Sequence, residues 1–170
     1  MVVFDAGILL LLLSADVEPP LAPDTQRPVD RARDRIDHLV SEPEASKTKI
    51  IVPTPALSEI LVKAGTATAE YLSRIDGSAA FRIAPFDTRA AVEVALMTKS
   101  ALDRGNKRDG GAGTHAKIKY DRQIIAIART EGVTMIYSDD NNIRSFGARL
   151  GLTVIRVSEL PLPPEDPQEA

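Results

Sequence analysis

The sequence predicts an α/β domain of three layers, with a central parallel sheet of about five strands flanked by helices. Two observations carry this. Short β-rich apolar runs alternate along the chain with longer segments of helical periodicity. Runs such as Val2–Phe4 and Ile50–Val52 are apolar without alternation, as strands covered on both faces are. The 170 residues, 44% apolar and 26% charged, suffice for one domain with a sizeable core.

Val2-Val3-Phe4 is the first strand. The run Gly7 to Leu13 follows, with Asp5 at its edge and no Lys or Arg before it. It falls short of the ~20 residues that cross a bilayer. It is therefore expected to be a buried strand-to-helix segment of a cytosolic (cytoplasmic) protein without a membrane partner. Pro19, Pro20, Pro23 and Pro28 mark residues 14–28 as a long loop. A charged helix over Val29–Ser41 comes next, touching the core through Ile36, Leu39 and Val40. Ile50-Ile51-Val52 is the second strand, ended by Pro53. Thr54-Pro55 opens a helix whose stripe is Leu57, Ile60, Leu61 and Ala64. Phe81-Arg82-Ile83 is a third strand.

Asp87 to Leu102 has helical spacing, with Ala91, Val94, Ala95 and Thr98 on one stripe. The segment GNKRDGGAGT (105–114) is a Gly-rich connection, not a phosphate-binding P-loop, since no Gly-Lys-Ser/Thr follows. Lys119 to Glu131 groups Ile124, Ile125 and Ala128, and Gly132 stops it. Thr134–Tyr137 and Thr153–Ile155 are the last strands, separated by a helix over Asn141–Leu150 that Gly151 closes. The domain is expected over 1–160. Residues 161–170, with four prolines and three acids, are expected to be disordered.

Composition narrows the chemistry. The net charge of −3 excludes attraction of the whole surface to nucleic acid or acidic lipid. There is no cysteine, so no disulfide, thiolate zinc site or cysteine nucleophile. His38 and His115 lie too far apart in sequence to suggest a zinc site. Carboxylates remain. Asp5 follows the first strand, where parallel sheets bind ligands, although the same place suits a helix N-cap. Asp139 and Asp140 follow the fourth strand in the same way; one could cap, and two adjacent acids repel unless a cation is near. Asp121 falls on the apolar stripe with Ile124, Ile125 and Ala128. A charge there needs a partner or a metal, unless it lies in a solvated first turn. Glu59 flanks the stripe of its helix and alone reads as a solvated glutamate. Several carboxylates held together ask for Mg2+ or Mn2+, which serve phosphodiester hydrolysis.

The order of these segments resembles a known family. It runs strand-Asp (VVFDAGILL), helix with Glu (PALSEILVKA), and Pro-Phe-Asp before a long helix (APFDTRAAVEVA). Then come a helix with Asp (YDRQIIAIA) and strand-Ser-x-Asp (IYSDDNNI). This is similar to the PIN domain, and most to the VapC-type toxins of type II toxin–antitoxin pairs, over the chain to about Leu160. The resemblance implies a PIN-like fold and a metal-dependent endoribonuclease. Asp5, Glu59, Asp121 and Asp140 would be catalytic; Asp5, Asp121 and Asp140 would hold Mg2+ or Mn2+. Ser138, Asp139 and Asn142 would support them, and a shift of one residue would make Asp139 the ligand. It also implies an RNA substrate, an antitoxin protein partner and pairing into a homodimer. The chain departs from the family pattern at Gly7, where Ser, Thr or Asn is usual, and at Asn142, which stands in an often acidic position. It is also longer, through the loops at 14–28 and 105–114.

Residues 99–122 carry seven basic against three acidic side chains, leaving the rest of the chain at −7. Arg104, Lys107, Arg108, Lys117, Lys119 and Arg122 are therefore expected to bind RNA phosphates, unless the segment is a solvated loop. Tyr120, next to Asp121, is the one aromatic expected to stack on a base; the others read as core. Two alternatives are kept, the first motivated by Gly7 and Asn142. One is a catalytically weakened PIN-like RNA- or protein-binding module. The other is a phosphatase or phosphotransferase with Asp5 as nucleophile, which lacks the second aspartate it would want at Gly7.

Overall fold

The structure is a computed structural model that describes residues 1–41 and 47–164. Five strands form one sheet: β1 (Val2–Phe4), β2 (Ile50–Pro53), β3 (Phe81–Ala84), β4 (Met135–Tyr137) and β5 (Thr153–Ile155). Their order is β3-β2-β1-β4-β5, and every pairing is parallel. All five expected strands are present. The apolar runs are explained by burial: Val3, Ile51, Val52 and Ile136 are sealed although neighbours along a strand point to opposite faces. Helices therefore cover both faces of the sheet.

The helices are α1 (Ala6–Leu13), α2 (Ala32–Ser41), α3 (Thr54–Ala64), α4 (Thr68–Asp76), α5 (Thr88–Asp103), α6 (His115–Thr130) and α7 (Asn141–Arg149). Helix α1 is apolar on all sides because it is enclosed on all sides, with Ile8, Leu9, Leu10, Leu11 and Leu13 buried. A buried helix end leaves carbonyls to satisfy. Arg33 of α2 donates to Leu11 O (2.5 Å) and to Ser14 O, and Arg74 of α4 donates to Leu13 O (2.6 Å). The charged face of α2 is thus partly a cap for α1, and α2 itself starts at Ala32 rather than Val29. Among the described residues, no helix is long and apolar enough to cross a membrane.

Three expectations need correction. Helix α6 begins four residues before the expected Lys119, capped by Thr114, whose Oγ1 accepts from Lys117 N (3.2 Å). Asp121 therefore lies beyond the first turn. The buried stripe of α5 runs through Ala90, Val94, Met97 and Ala101; Ala91 and Ala95 are exposed, and Thr98 is half-buried. An alanine-rich segment defines its face poorly, because alanine suits core and surface alike; Asp87 caps the helix by accepting from Ala90 N (2.9 Å). Helix α4 was not expected at all; it buries only Tyr71 and Ile75. Of the tail, residues 161–164 carry no regular structure, and 165–170 lie outside the described residues.

The topology locates a crevice. From β1 the chain steps to β2 and β3 on one side and returns to β4 and β5 on the other. The order reverses between β1 and β4, and open parallel sheets bind ligands at the carboxyl ends of strands at such a reversal. Asp5 leaves β1 at that edge, and Ser138, Asp139 and Asp140 leave β4 beside it. Asp5 N donates to Tyr137 O (3.2 Å), which ties the two strand ends together.

Candidate active site

An open cleft of about 410 Å3 lies at this edge. Asp5, Glu59, Asp121, Asp139, Asp140 and Lys117 are among its lining residues, and Val17, Glu18 and Pro20 of the proline-rich loop also line it. Side chains from five distant stretches of sequence therefore meet there.

Each strand-end acid divides its two oxygens between tasks. Asp5 Oδ1 caps α1 by accepting from Ile8 N (2.9 Å), while Oδ2 accepts from the buried Ser138 hydroxyl. Asp140 Oδ1 caps α7 by accepting from Asn142 N (2.7 Å) and Ile143 N (3.1 Å). Its Oδ2 accepts from Lys117 Nζ (2.5 Å). The choice between cap and ligand posed by the sequence is thus not exclusive: one oxygen anchors the carboxylate and the other faces the cleft or its wall. Asp139 accepts from Val157 N (3.3 Å). Ser138 Oγ also accepts from Asp140 N (3.1 Å), so one hydroxyl links the acids of β1 and β4.

Asp121 is only 4% exposed, on the face of α6 turned to the cleft. Its Oδ2 accepts from Asn142 Nδ2 (2.8 Å), and both oxygens accept from Lys117 Nζ (3.1 and 3.2 Å). Asn142 does more than replace an acid. Its Nδ2 also donates to Ala112 O (2.9 Å) and its Oδ1 accepts from Ala112 N (2.8 Å), which clamps the Gly-rich loop to the site. A Cβ on Gly111 of that loop would stand 2.7 Å from Phe146 Cζ, so the loop packs where only glycine fits.

Burial dominates the electrostatics. It lifts the Asp5 carboxyl from 3.8 to about 7; the Ser138 and Ile8 hydrogen bonds oppose the rise, and Asp139 and Asp140 add to it. Burial also raises Asp121, against the pull of Asn142 and Lys117 and with a push from Asp140. Asp139 is raised by burial too. Partial burial pulls the Lys117 ammonium down, but its bonds to Asp140 and Asp121 outweigh that and hold it above the usual lysine value. The Lys117 role escaped sequence reasoning, which placed it with the phosphate-binding cations. The i, i+4 spacing to Asp121 was the available signal.

Among the described residues, no three His, Asp or Glu side chains form a ready ligand set. Lys117 stands between two of the acids instead. A cation bridging Asp121 and Asp140, and a donor set made only of carboxylate and other oxygens, fit a hard divalent ion better than a soft one. Glu59 stands at the exposed rim, paired with Lys63 (2.9 Å). Gly7 lies over Asp5: a Cβ there would be 3.4 Å from Asp5 Oδ1, ordinary contact distance, so a longer side chain has room.

The expected RNA-binding cations separate into different places. Lys117 faces the acids. Arg104 is held by Asp109 (3.0 and 2.7 Å), and Arg108 is exposed on the loop. Lys107, Lys119 and Arg122 line a second cleft on the other side of α6. Tyr120 is exposed beside Val62 in a shallow groove that continues from the acidic cleft.

No protein-family model matches the sequence, and no curated protein matches it. Solved structures do match. One is FitAB bound to an IR36 DNA fragment, with 16% identity over 95% of this chain and 98% of that one, at TM-score 0.58. Another is VapC20 of Mycobacterium tuberculosis, a sarcin-ricin-loop-cleaving toxin, with 14% identity over 95% and 100% at TM-score 0.56. A third is DNA-bound VapBC of Salmonella typhimurium, with 17% identity over 92% and 97% at TM-score 0.52. With five parallel strands in the order β3-β2-β1-β4-β5 and acids at the β1–β4 edge, the chain has the PIN-like fold of the VapC-type toxins.

Proposed function

We propose that the acidic cleft is the active site of a metal-dependent endoribonuclease, the toxin of a toxin–antitoxin pair. The observation that carries this is the meeting of Asp5, Asp121 and Asp140, from three remote segments, in one cleft at the strand-order reversal, with the Lys117 ammonium bridging the latter two. Asp5, Asp121 and Asp140 would hold Mg2+ or Mn2+, with Asp139 as the adjoining carboxylate. When bound, such an ion supplies charge stabilisation for a phosphodiester transition state and a more acidic water. The chain's own residues do the rest. Ser138 would fix the orientation of Asp5 and Asn142 that of Asp121, and Glu59 would complete the catalytic set from the rim. Lys117 neutralises Asp121 and Asp140 in the metal-free protein; with the acids holding an ion, its ammonium would be released to meet a substrate phosphate.

The likeness to VapC20, a toxin that cleaves the sarcin-ricin loop, supports the choice of RNA, and the VapBC and FitAB assemblies support an antitoxin partner. That partner would offer the acids a basic side chain, as Lys117 does within the chain. The exposed Val62 and Tyr120 would serve a homodimer contact. The test is RNA cleavage by purified protein with Mg2+ or Mn2+. Cleavage should stop with EDTA and in Asp5→Asn and Asp121→Asn. Equal cleavage by those variants would remove the proposal.

A second reading has its own support. Asn142 and Lys117 engage both oxygens of Asp121, as they would in a binding module that no longer holds metal. Titration with Mn2+ separates the two: the nuclease gives saturable heat that Asp121→Asn abolishes, and the binding module gives none.

A further inference from the structure

We infer that the cleft between α5 and α6, on the side of α6 turned away from the acids, holds a backbone phosphate of the RNA strand. Its volume is about 410 Å3, and Thr98, Lys107, His115, Lys119 and Arg122 are among its lining residues. Among the described residues, no carboxylate lines it. Among the described residues, neither Lys107 nor Lys119 has a carboxylate within ion-pair distance.

Arg122 makes this a built site rather than a basic surface. It is 5% exposed and 5.5 Å over the Phe146 ring. It donates to Lys107 O (2.7 Å) and Thr98 Oγ1 (3.3 Å), both neutral acceptors. Burial pulls the Arg122 guanidinium below its ordinary value, and Asp109, its nearby counter-charge, offsets this only in part and makes no direct hydrogen bond to it; a bound phosphate would supply a direct partner. Its neighbours differ: Arg104 and Arg149 both pair with Asp109. The amino-terminal turn of α6 adjoins the cleft through His115 and Ala116 and adds the positive end of a 16-residue helix.

The position relative to Asp121 gives the site a use. At 100° per residue, Lys117 and Asp121 share one side of α6, and His115, Lys119 and Arg122 share the opposite side. A helix is about 10–12 Å across. A single strand passing around the first turn of α6, over the Gly-rich loop, would place one phosphate here and another at the acids. This use rests on the ribonuclease reading, so its test is made without divalent ions, where binding and cleavage can fail separately.

The experiment measures fluorescence anisotropy of a labelled single-stranded RNA in EDTA over a series of KCl concentrations. Lys107→Ala/Lys119→Ala is compared with Arg27→Ala/Lys47→Ala, which removes the same charge from exposed positions outside the cleft. The expected result is roughly tenfold weaker binding for the first pair alone, with a log–log salt slope shallower by about 1. Equal weakening by both pairs, no weakening by either, or no RNA binding by the parent protein overturns the inference. Inorganic pyrophosphate is the second probe. If it binds through Lys107 and Lys119 while RNA does not need them, the cleft takes a free phosphate and the strand assignment falls. RNA binding through this pair by a protein that cleaves nothing with Mg2+ would sink the ribonuclease reading and leave the phosphate site standing.

Discussion

Replacing Asp5 by asparagine should stabilise the metal-free protein while removing a charge from the cleft. Asp5 is 6% exposed, and burial carries its carboxyl from 3.8 to about 7. The folded state therefore binds this proton more tightly than the unfolded state does. Between those two values the native carboxyl is protonated and the unfolded one is not, so stability falls as pH rises from about 4 to about 7 and then levels. The full loss is about 4 kcal/mol. Asparagine carries no such penalty and caps α1 as well as aspartate does. Its Oδ1 keeps the bond from Ile8 N, and the Ser138 hydroxyl can turn to accept from Nδ2. Urea denaturation in EDTA should find the variant about 2–4 kcal/mol more stable than the parent at alkaline pH, and close to it at about pH 4. Added Mg2+ should stabilise the parent and leave the variant unmoved. Equal destabilisation of the variant at both pH values would refute the reasoning, because it would make Asp5 an ordinary cap whose charge costs nothing to bury.

Lys117→Ala should bind Mn2+ about tenfold more tightly by calorimetry, since the ion no longer competes with a charge-assisted hydrogen bond. Unchanged affinity would mean that the ammonium does not share the ion's place. Asn142→Asp removes the donor to Ala112 O and Asp121 and sets a third carboxylate beside the pair. It should cost about 2–4 kcal/mol without metal, and thermal melting should show much of that recovered with Mn2+. Glu159 is held down to about 2, chiefly by its paired hydrogen bonds from Arg144 (2.6 and 3.0 Å). Its stabilisation is present above pH 4.5 and is lost as pH falls toward 2. Both side chains are more than a third exposed, so solvent screening leaves less than about 1 kcal/mol for Glu159→Gln to remove. A pH-independent loss in that variant would assign its role to packing.

The strands were legible along the chain because the central strands, buried on both faces, are apolar without alternation, and such short β-rich runs stand out between charged helices. Val2–Phe4 and Thr153–Ile155 match residue for residue. The acids were legible for a related reason: Asp5 and Asp140 follow strands, and Asp121 interrupts an apolar stripe where a charge demands a partner. Helix faces and starts were harder to read. Alanine fits a core or a surface, so the stripe of α5 could be settled only by what packs on it, and α4 buries too few residues to announce itself. The fate of the cations was invisible in one dimension. Lys117 and Lys119 are two residues apart, yet helical rotation sends one to the acids and the other to a separate cleft. Asn142 likewise looked like a lost acid until the fold brought Ala112 within reach of its amide. Local chemistry is set by the order of residues, whereas the partner each charge finds depends on segments far away in the chain, and these meet only when the sheet closes around β1.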